Sequence, residues 1–339
     1  MNNPIITGVL AYGMSGKVFH TPFVDTHTGF DFYAVTERNM KTAHERFPNI
    51  KSFTSVDELI SDEKIELVIV NTPNNTHYEY AKKALLAGKH ILVEKPFATT
   101  VKEAEELFEI ADKNNLKVLF YHNRRWDSDY LSIKQVLESR KLGKLIEVHL
   151  RFDRYRSDIG PKVFKETPIA GSGVSYDLGS HLLDQAISLF GEPLWFSKTL
   201  GCYREKSLVD DYLFIHLKFQ ENLNVYLTAS LLVAQPLPAY VLHGTKGTYM
   251  KDRTDIQEMQ LLQEVSPLDP GYGIEEQGAE GTLTVMKSDA EREIIRIPNQ
   301  KSDYSNLFTA VYNSIRYQAT YPVKREEILW QLKILQEGK

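Results

Sequence analysis

The sequence predicts an α/β protein in which a doubly wound parallel sheet is followed by an α+β region with a large, mostly antiparallel, open sheet. Up to about residue 122, apolar strands alternate with helical segments, as a series of parallel βαβ units requires. Beyond that point, long segments alternate apolar and polar residues with few helices between them, which is typical of antiparallel strands with one solvated face. We therefore expect one domain over residues 1–122 and a second over 123–339, with the last helices packing back on the first domain.

Composition narrows the class of protein. The 339 residues are 42% hydrophobic and 25% charged, which is ordinary globular usage. A formal net charge of −5 weakens a nucleic-acid or anionic-membrane role, because phosphate binding needs clustered positive charge. Cys202 is the single cysteine, so a disulfide framework and a cysteine-rich zinc site are excluded. With no long apolar run and no leader pattern, the sequence predicts a cytoplasmic protein.

The first strand, Ile5 to Leu10, runs into the segment Ala11-Tyr12-Gly13-Met14-Ser15-Gly16. This is the dinucleotide-binding fingerprint of a Rossmann domain with alanine in place of its first glycine. Gly13 would let the backbone approach a pyrophosphate, and Gly16 would let the helix pack tightly on the strand. The N–H groups of a helix that begins near Ser15 would face the phosphates.

The second strand, Phe32 to Thr36, ends at Glu37-Arg38. Glu37 lies about 20 residues beyond the fingerprint, where a carboxylate accepts hydrogen bonds from the adenosine ribose hydroxyls. An acid there favours NAD over NADP, because it repels a 2′-phosphate. Arg38 favours NADP instead, since a guanidinium can pair with that phosphate. The sequence therefore predicts NAD, with NADP as the alternative.

Two further apolar strands end at the same edge of the predicted sheet. Residues 65–70 lead into a turn-rich loop over 71–77, and residues 90–93 lead into Glu94-Lys95-Pro96. Ligands bind at the carboxyl edge of open α/β sheets. Pro96 stiffens the corner and disfavours a helical conformation at Lys95. A lysine held there can stabilise negative charge on a substrate oxygen, although an isolated Lys-Pro is also a common surface turn.

The second half contains four segments with period-two alternation. In one of them Leu213, Ile215, Leu217 and Phe219 share a face. The alternation predicts long strands, with one half-polar face free to cover a site or to pair with another subunit. The four segments are 145–156, 211–219, 223–233 and 240–250.

One helix interrupts this β-rich region, and it carries Asp177, His181 and Asp184. Asp177 and His181 are four residues apart and therefore share a helix face. A histidine there can take a proton from a substrate hydroxyl, and a nearby carboxylate can orient it. The same three residues also have the spacing of metal ligands, so a metal-assisted lyase or hydrolase stays open as an alternative. A capped helix with a purely structural histidine is the remaining interpretation.

Several separated motifs agree with one known family. They are the fingerprint, Thr72-Pro73-Asn74 with His77, Glu94-Lys95-Pro96, Asn123-Arg124-Arg125-Trp126-Asp127 and Asp177-Leu178-Gly179-Ser180-His181. Together they resemble the glucose–fructose oxidoreductase/inositol dehydrogenase/MocA family over nearly the whole chain. Arg154-Tyr155-Arg156 resembles the branch near NADP-linked scyllo-inositol dehydrogenase. That branch carries Ser-Arg after the second strand, whereas this chain has Glu37-Arg38.

The resemblance implies an oxidoreductase that transfers hydride between nicotinamide and a secondary hydroxyl or ketone of a cyclitol or sugar. It implies Lys95, Asp177 and His181 as the catalytic set, and a homodimer or homotetramer. We expect no bound metal. A dinucleotide-sensing protein on the same scaffold is the rival interpretation. Tyr155 and Asp184 are substrate-contact candidates by position. The expected cofactor contacts are Gly13, Met14, Ser15, Gly16, Glu37, Arg38, Thr72, Pro73, Asn74, His77, Glu94, Lys95 and Asn123.

Overall fold

The computed structural model describes residues 3–160 and 163–337, which form two compact units. The first unit comprises residues 1–123, 257–272 and 303–324. The second comprises residues 124–256, 273–302 and 325–339. Within the described residues, no helix combines the length and the apolar character needed to cross a membrane.

The first unit is built on a six-stranded sheet in which every neighbouring pair is parallel. The strand order β3-β2-β1-β4-β5-β6 is that of a doubly wound sheet, with its order reversing beside β1. The predicted parallel sheet is therefore confirmed. The strands are β1 (Ile5–Val9), β2 (Phe30–Thr36), β3 (Lys51–Phe53), β4 (Leu67–Val70), β5 (His90–Glu94) and β6 (Val118–Tyr121).

The helices of the first unit begin and end where local signals predict. Thr100 caps the helix over 101–113 in a capping box with Glu103. Ser55 caps the helix over 56–60, and Gly88, at φ +75°, follows the helix over 77–86. The helices are a π-helical turn (Gly16–His20), α1 (Thr21–Thr26), α2 (Ala43–Arg46), α3 (Val56–Ile60), α4 (His77–Leu86) and α5 (Val101–Lys113).

The second unit contains an eight-stranded sheet in the order β14-β13-β12-β11-β7-β10-β9-β8. All neighbouring strands are antiparallel except β7 and β10, so the sheet is mostly antiparallel, as predicted. The strands are β7 (Leu145–Asp153), β8 (Trp195–Gly201), β9 (Tyr212–Lys218), β10 (Asn224–Ser230), β11 (Tyr240–Gly244), β12 (Gly247–Lys251), β13 (Gly281–Met286) and β14 (Arg292–Ile297).

The prediction of a single strand over residues 240–250 is wrong. The segment 240–250 is a hairpin of two strands, because Gly244 pairs with Gly247 across a two-residue turn. A Cβ at Gly244 would lie 2.2 Å from the carbonyl oxygen of Leu142. The alternation of buried residues changes phase across this turn, from Tyr240 and Leu242 to Tyr249. The segment Gly244-Thr245-Lys246-Gly247 is a turn signal that the prediction of one strand passed over.

One face of the second sheet packs on helices of the same unit and forms a hydrophobic core. Leu213, Ile215 and Leu217 of β9 are fully buried, which confirms the predicted inner face. They pack with apolar residues of three helices. These helices are α6 (Ser128–Glu138), α8 (Ser180–Phe190) and the C-terminal helix (Arg325–Gln336). The short helix α7 (Val163–Glu166) lies between α6 and α8 in the sequence.

The opposite face of the sheet is only half-buried and carries a row of aromatic rings across four strands. Tyr226 stacks on His216 with ring centroids 4.6 Å apart and on His149 at 5.0 Å. Trp195 meets His216 edge-on at 5.4 Å. We call these four residues the aromatic row.

A buried ion pair fixes helix α8 within the second unit. The Arg125 guanidinium donates to both carboxylate oxygens of Asp184, at 2.9 and 2.7 Å, and to Glu327 at 2.7 Å. Gln331 donates a further hydrogen bond to Asp184 at 3.0 Å. Burial lowers the pKa of Arg125, but the charges of Asp184 and Glu327 outweigh it and raise that pKa above its usual value.

Replacing Asp184 with alanine should therefore destabilise the protein strongly. The change leaves the Arg125 charge buried with less compensation, which costs about 3–5 kcal/mol. Asp184→Ala should lower the urea unfolding midpoint accordingly, whereas Asp252→Ala, at an exposed position of the same unit, should change stability by less than about 0.5 kcal/mol. Equal midpoints for the two variants would contradict the role assigned to the pair.

Candidate active site

The fingerprint loop joins β1 to the π-helical turn, and its glycines have different roles. A Cβ on Gly16 would lie 2.1 Å from the carbonyl oxygen of Ala11, so only glycine allows this close approach. A Cβ on Gly13 would meet nothing within 4 Å, so it would project into open space. Ala11 has a negative φ, which explains why the first position of the fingerprint tolerates a side chain.

Asn71, at the end of β4, holds the fingerprint loop in place. Its side-chain oxygen accepts from the Ala11 N–H at 2.9 Å, and its amide donates to the Ala11 carbonyl at 2.8 Å. Asn71 is buried, with 5% of its surface exposed. Sequence reasoning missed this role, because an asparagine in a turn-rich loop is common for local reasons.

Glu94 connects the fingerprint to the Lys95-Pro96 corner. Its Oε1 accepts from the Ser15 hydroxyl at 2.8 Å and lies 3.0 Å from the Nε2 of His20. Burial raises the pKa of Glu94, but hydrogen bonds from His20 and Ser15 and the charges of His20 and Lys95 outweigh it, so the pKa falls to about 2. Glu94 is therefore an anion at any neutral pH, directly before Lys95.

His77 joins the ends of β4 and β5. Its Nδ1 lies 2.7 Å from the Pro96 carbonyl oxygen and its Nε2 lies 2.8 Å from that of Thr72. Burial lowers the pKa of His77, so the ring is neutral and donates to one of these carbonyls at a time. The peptide bond between Lys95 and Pro96 is cis. His77 thus positions the corner from which Lys95 extends, and Lys95 itself is half-buried.

Glu37 follows β2, where sequence reasoning places it, but its carboxylate is engaged within the protein. Oε1 accepts from the backbone N–H groups of Thr42 at 2.7 Å and Ala43 at 3.0 Å. Oε2 accepts from the Ser52 hydroxyl at 2.8 Å. Glu37 is buried with 6% exposure, whereas the adjacent Arg38 is exposed.

In the second unit, a π-helical turn (Ser175–Gly179) precedes α8 and carries Asp177. Gly179 is needed because a Cβ there would lie 2.5 Å from the Leu213 side chain of β9. The start of α8 therefore packs closely on the sheet. His181 lies in the first turn of α8 and is buried, with 6% of its surface exposed. Asp177 is partly exposed and forms an ion pair with Lys165, whose Nζ is 2.7 Å from Oδ1.

His181 lies beside the aromatic ring of Phe152, which is surrounded by three arginines. Its imidazole stacks on Phe152 of β7, with centroids 6.3 Å apart. The guanidinium groups of Arg253, Arg154 and Arg124 lie 4.1, 4.8 and 5.1 Å from the same ring centroid. Cation–π attraction of this kind fixes the arginines around the ring. Sequence reasoning did not select Phe152 or Arg253, because Phe152 lies on β7 and Arg253 follows β12, so the two residues meet only in the folded unit.

The remaining candidates lie in different environments. Both carboxylate oxygens of Asp184 accept hydrogen bonds from Arg125, so the role of Asp184 is structural. Tyr155 is 62% exposed and forms an isolated bridge with Leu232. Asn123 is buried at the start of a short 3₁₀ turn after β6. In the residues that the structure describes, no three His, Cys, Asp or Glu side chains are grouped to hold a metal ion.

Comparison with known proteins decides the family. Residues 5–122 match the family model described as "Oxidoreductase family, NAD-binding Rossmann fold", and residues 130–250 match the GFO/IDH/MocA C-terminal domain. An uncharacterized oxidoreductase of Schizosaccharomyces pombe is 37% identical over 98% of this chain and 96% of its own. The chain belongs to the Gfo/Idh/MocA oxidoreductase family.

Two further relatives agree with this assignment. The scyllo-inositol 2-dehydrogenase (NADP(+)) IolW of Bacillus subtilis is 31% identical over 98% of this chain and 92% of its own. The crystal structure of an oxidoreductase from Bacillus cereus superposes with a TM-score of 0.89 at 31% identity, covering 98% of this chain and 95% of that one. The resemblance inferred from the sequence motifs is confirmed.

The residues of this Gfo/Idh/MocA protein fit the dinucleotide that its family binds. The open space in front of Gly13 leaves room beside the backbone, and the tight contact at Gly16 brings the helix start to the strand end. The residues that would hold the cofactor lie at the carboxyl edge of the parallel sheet, as doubly wound folds require. The first unit is therefore an NAD-binding Rossmann domain, and the expected cofactor class is confirmed.

The two glycines give a matched pair of variants that separates binding from folding. Gly13→Ala should fold like the parent protein but bind NADH about tenfold more weakly, because its Cβ enters the space that the fingerprint keeps for the pyrophosphate. Gly16→Ala should lose about 1–3 kcal/mol of stability, because its Cβ collides with backbone.

Titration of NADH fluorescence and thermal unfolding of both variants measure these effects. If Gly13→Ala bound NADH as tightly as the parent protein, the assignment of this loop to the pyrophosphate would be wrong.

Proposed function

We propose that this protein is an NAD(P)-dependent dehydrogenase acting on a secondary hydroxyl, or the corresponding ketone, of a cyclitol or sugar. Lys95, Asp177 and His181 form the proposed catalytic set. The observation that carries the proposal is the buried His181, held at the start of α8 one helical turn beyond Asp177, in a family of oxidoreductases. The similarity to a scyllo-inositol 2-dehydrogenase supports the substrate class.

In this proposal His181 exchanges the hydroxyl proton of the substrate. Its neutral imidazole can accept a proton at one ring nitrogen while the other is held by a neighbour. Asp177 orients the imidazole and stabilises its protonated form. Lys95 holds positive charge against the oxygen that becomes negative, and the bound nicotinamide supplies the two-electron redox chemistry.

Asp177 forms an ion pair with a lysine of the same unit. Lys165 pairs with Asp177 in a contact that leaves both side chains about one-third exposed. An ion pair in such a setting is weak and exchangeable. Asp177 can therefore exchange this lysine for another partner at low cost, which a group that assists proton transfer requires.

The catalytic set is tested with three variants. Lys95→Met and His181→Asn should each lower kcat by a factor of about 10²–10³, because each removes a group that acts in the transition state. NADH affinity should stay within about threefold of the parent value, since neither change removes the fingerprint. Groups that serve one step act non-additively, so the double variant should lose far less than the product of the two single losses.

The assay is the absorbance of reduced nicotinamide with a panel of polyols and sugars and both cofactors. Lys113→Met, on an exposed surface of α5, is the matched control for the loss of a lysine. Full activity of Lys95→Met on a substrate that the parent protein turns over would refute the catalytic set. A protein that binds NADH but turns over no member of the panel would favour the sensing role.

The proposal includes a homodimer or homotetramer formed through the open face of the second sheet. Eight strands spaced about 4.8 Å apart and about 17–20 Å long present roughly 600 Å². That is close to the roughly 800 Å² that each partner contributes to a standard interface. The aromatic row and exposed Met250 and Ile294 supply apolar surface on this sheet.

A charge placed in the aromatic row should disrupt this assembly. Tyr226→Glu together with His216→Glu would bury uncompensated carboxylates at the interface, which costs several kcal/mol. Light scattering after size exclusion should show a smaller particle than for the parent protein, whereas Leu208→Glu, at a position 69% exposed in a loop, should leave the mass unchanged. A monomeric parent protein at micromolar concentration would contradict the proposal.

A further inference from the structure

Lys165, on the short helix α7, pairs with a member of the proposed catalytic set. Its Nζ lies 2.7 Å from Oδ1 of Asp177, and the two side chains are 33% and 29% exposed. An ion pair this exposed is weak when both of its ends are free to move. Its population therefore depends on how firmly the rest of the second unit holds the lysine and the aspartate together.

A buried salt bridge holds helix α7 against the loop over residues 202–211. The guanidinium of Arg204, whose side chain is 2% exposed, donates to both carboxylate oxygens of Glu166, at 2.7 and 3.3 Å. Asp211 holds Arg204 in turn, because it accepts from the Arg204 backbone N–H at 2.7 Å and from its Nε at 3.3 Å. Glu166 directly follows Lys165 in the sequence. This salt bridge therefore fixes the backbone from which the lysine extends.

The same loop also holds the π-helical turn that carries Asp177. The carboxylate of Asp210 accepts from the Ser175 N–H at 2.7 Å. Gly173, at φ +83°, permits this close approach, because a Cβ there would lie 2.2 Å from Oδ1 of Asp210. Two adjacent acids of one loop thus anchor both ends of the ion pair.

We propose that Lys165 is a positioning residue that offsets the negative charge of Asp177 until His181 takes a proton. Asp177 and His181 lie four positions apart, so the carboxylate charge acts on the imidazole. With Lys165 in place that charge is partly balanced, and His181 stays neutral and able to accept a proton at neutral pH. Once His181 is protonated, Asp177 can exchange the lysine for the imidazolium. The inference rests on the proposed function, because it adds a fourth residue beside the proposed catalytic set.

Other charged groups also act on His181, and they form the background to the effect of Lys165. Three arginines surround the Phe152 ring on which His181 stacks. Their positive charge disfavours an imidazolium, whereas the carboxylates beside them oppose that effect. The arginines are Arg124, Arg154 and Arg253, and the carboxylates that pair or interact with them include Asp127, Asp129, Asp153 and Asp255. These groups are the same in every Lys165 variant, so a shift in the titration of His181 reports on the lysine.

The titration of the His181 ring tests the inference without substrate. It is followed by NMR in the full-length protein with isotope-labelled histidine, and the His181→Asn variant identifies the signal. Lys165→Met should raise the pH of half-protonation of His181 by about half a unit, the size expected for partly exposed charges. Lys165→Arg, which keeps the charge, should leave that pH within about 0.2 unit of the parent value. Lys134→Met, at an exposed position of α6, is the matched control and should not move it.

A titration that is the same in Lys165→Met as in the parent protein overturns the inference. An equal shift in Lys165→Arg overturns it as well, because a change in packing rather than in charge would then be responsible. The proposed function fails by a different result, namely full activity of His181→Asn on a polyol that the parent protein oxidises. That result would not alter the titration of the ring, so the two failures are distinguishable.

The anchor of α7 is tested separately. Glu166→Ala removes the carboxylate that holds α7 but leaves the Arg204 guanidinium with Asp211, so the buried charge keeps a partner. The variant should shift the titration of His181 in the same direction as Lys165→Met, by a smaller amount, because the lysine is held less firmly. Glu205→Ala, at a side chain 89% exposed in the same loop, is the matched control.

If Glu166→Ala titrates like the parent protein, the loop does not hold the lysine in place and that part of the inference is wrong. If Glu166→Ala does not fold, the Lys165 variants still decide the inference, since they change a partly exposed side chain.

Discussion

The contacts of the Glu94 carboxylate fix the geometry of the nucleotide-binding edge of the first unit. It accepts the Ser15 hydroxyl of the fingerprint and contacts the ring of His20, and it directly precedes Lys95. One anion therefore fixes both the start of the nucleotide-binding helix and the corner after β5. The cost of burying it is offset by these hydrogen bonds, since the pKa of Glu94 falls to about 2 instead of rising.

Local signals in the sequence predict the framework because they act over a few residues. The capping box at Thr100 and the glycine after α4 mark helix ends directly. Buried strands such as Leu67–Val70 are recognisable as continuous apolar runs, because both faces of a parallel sheet are covered. The hairpin turn at 245–246 was missed, because the prediction followed the alternation on both sides of the turn and passed over the two glycines that flank it.

The chemistry of individual side chains is less predictable, because it depends on which polar atoms are already engaged. Spacing along the chain places Glu37 at the ribose and Asp184 beside His181. In the fold, both carboxylates receive hydrogen bonds from their own unit, Glu37 from α2 and β3 and Asp184 from Arg125. Phe152 contributes to the surroundings of His181 although nothing in its local sequence marks it. Only tertiary contacts carry this information.

The extent to which a carboxylate is committed to its own fold offers a physical basis for separating structural acids from chemical ones. Asp184 is 3% exposed and forms a bidentate pair with a buried arginine, an arrangement whose disruption leaves a buried charge. Asp177 is 29% exposed and pairs with a flexible lysine that is itself 33% exposed. Exchanging the second partner costs little, because water screens both charges. An acid that must respond to a neighbouring histidine during proton transfer needs this second kind of environment. The π-helical turn thus carries an acid that can change partners, and α8 carries one that is fixed for stability, seven positions further along the sequence.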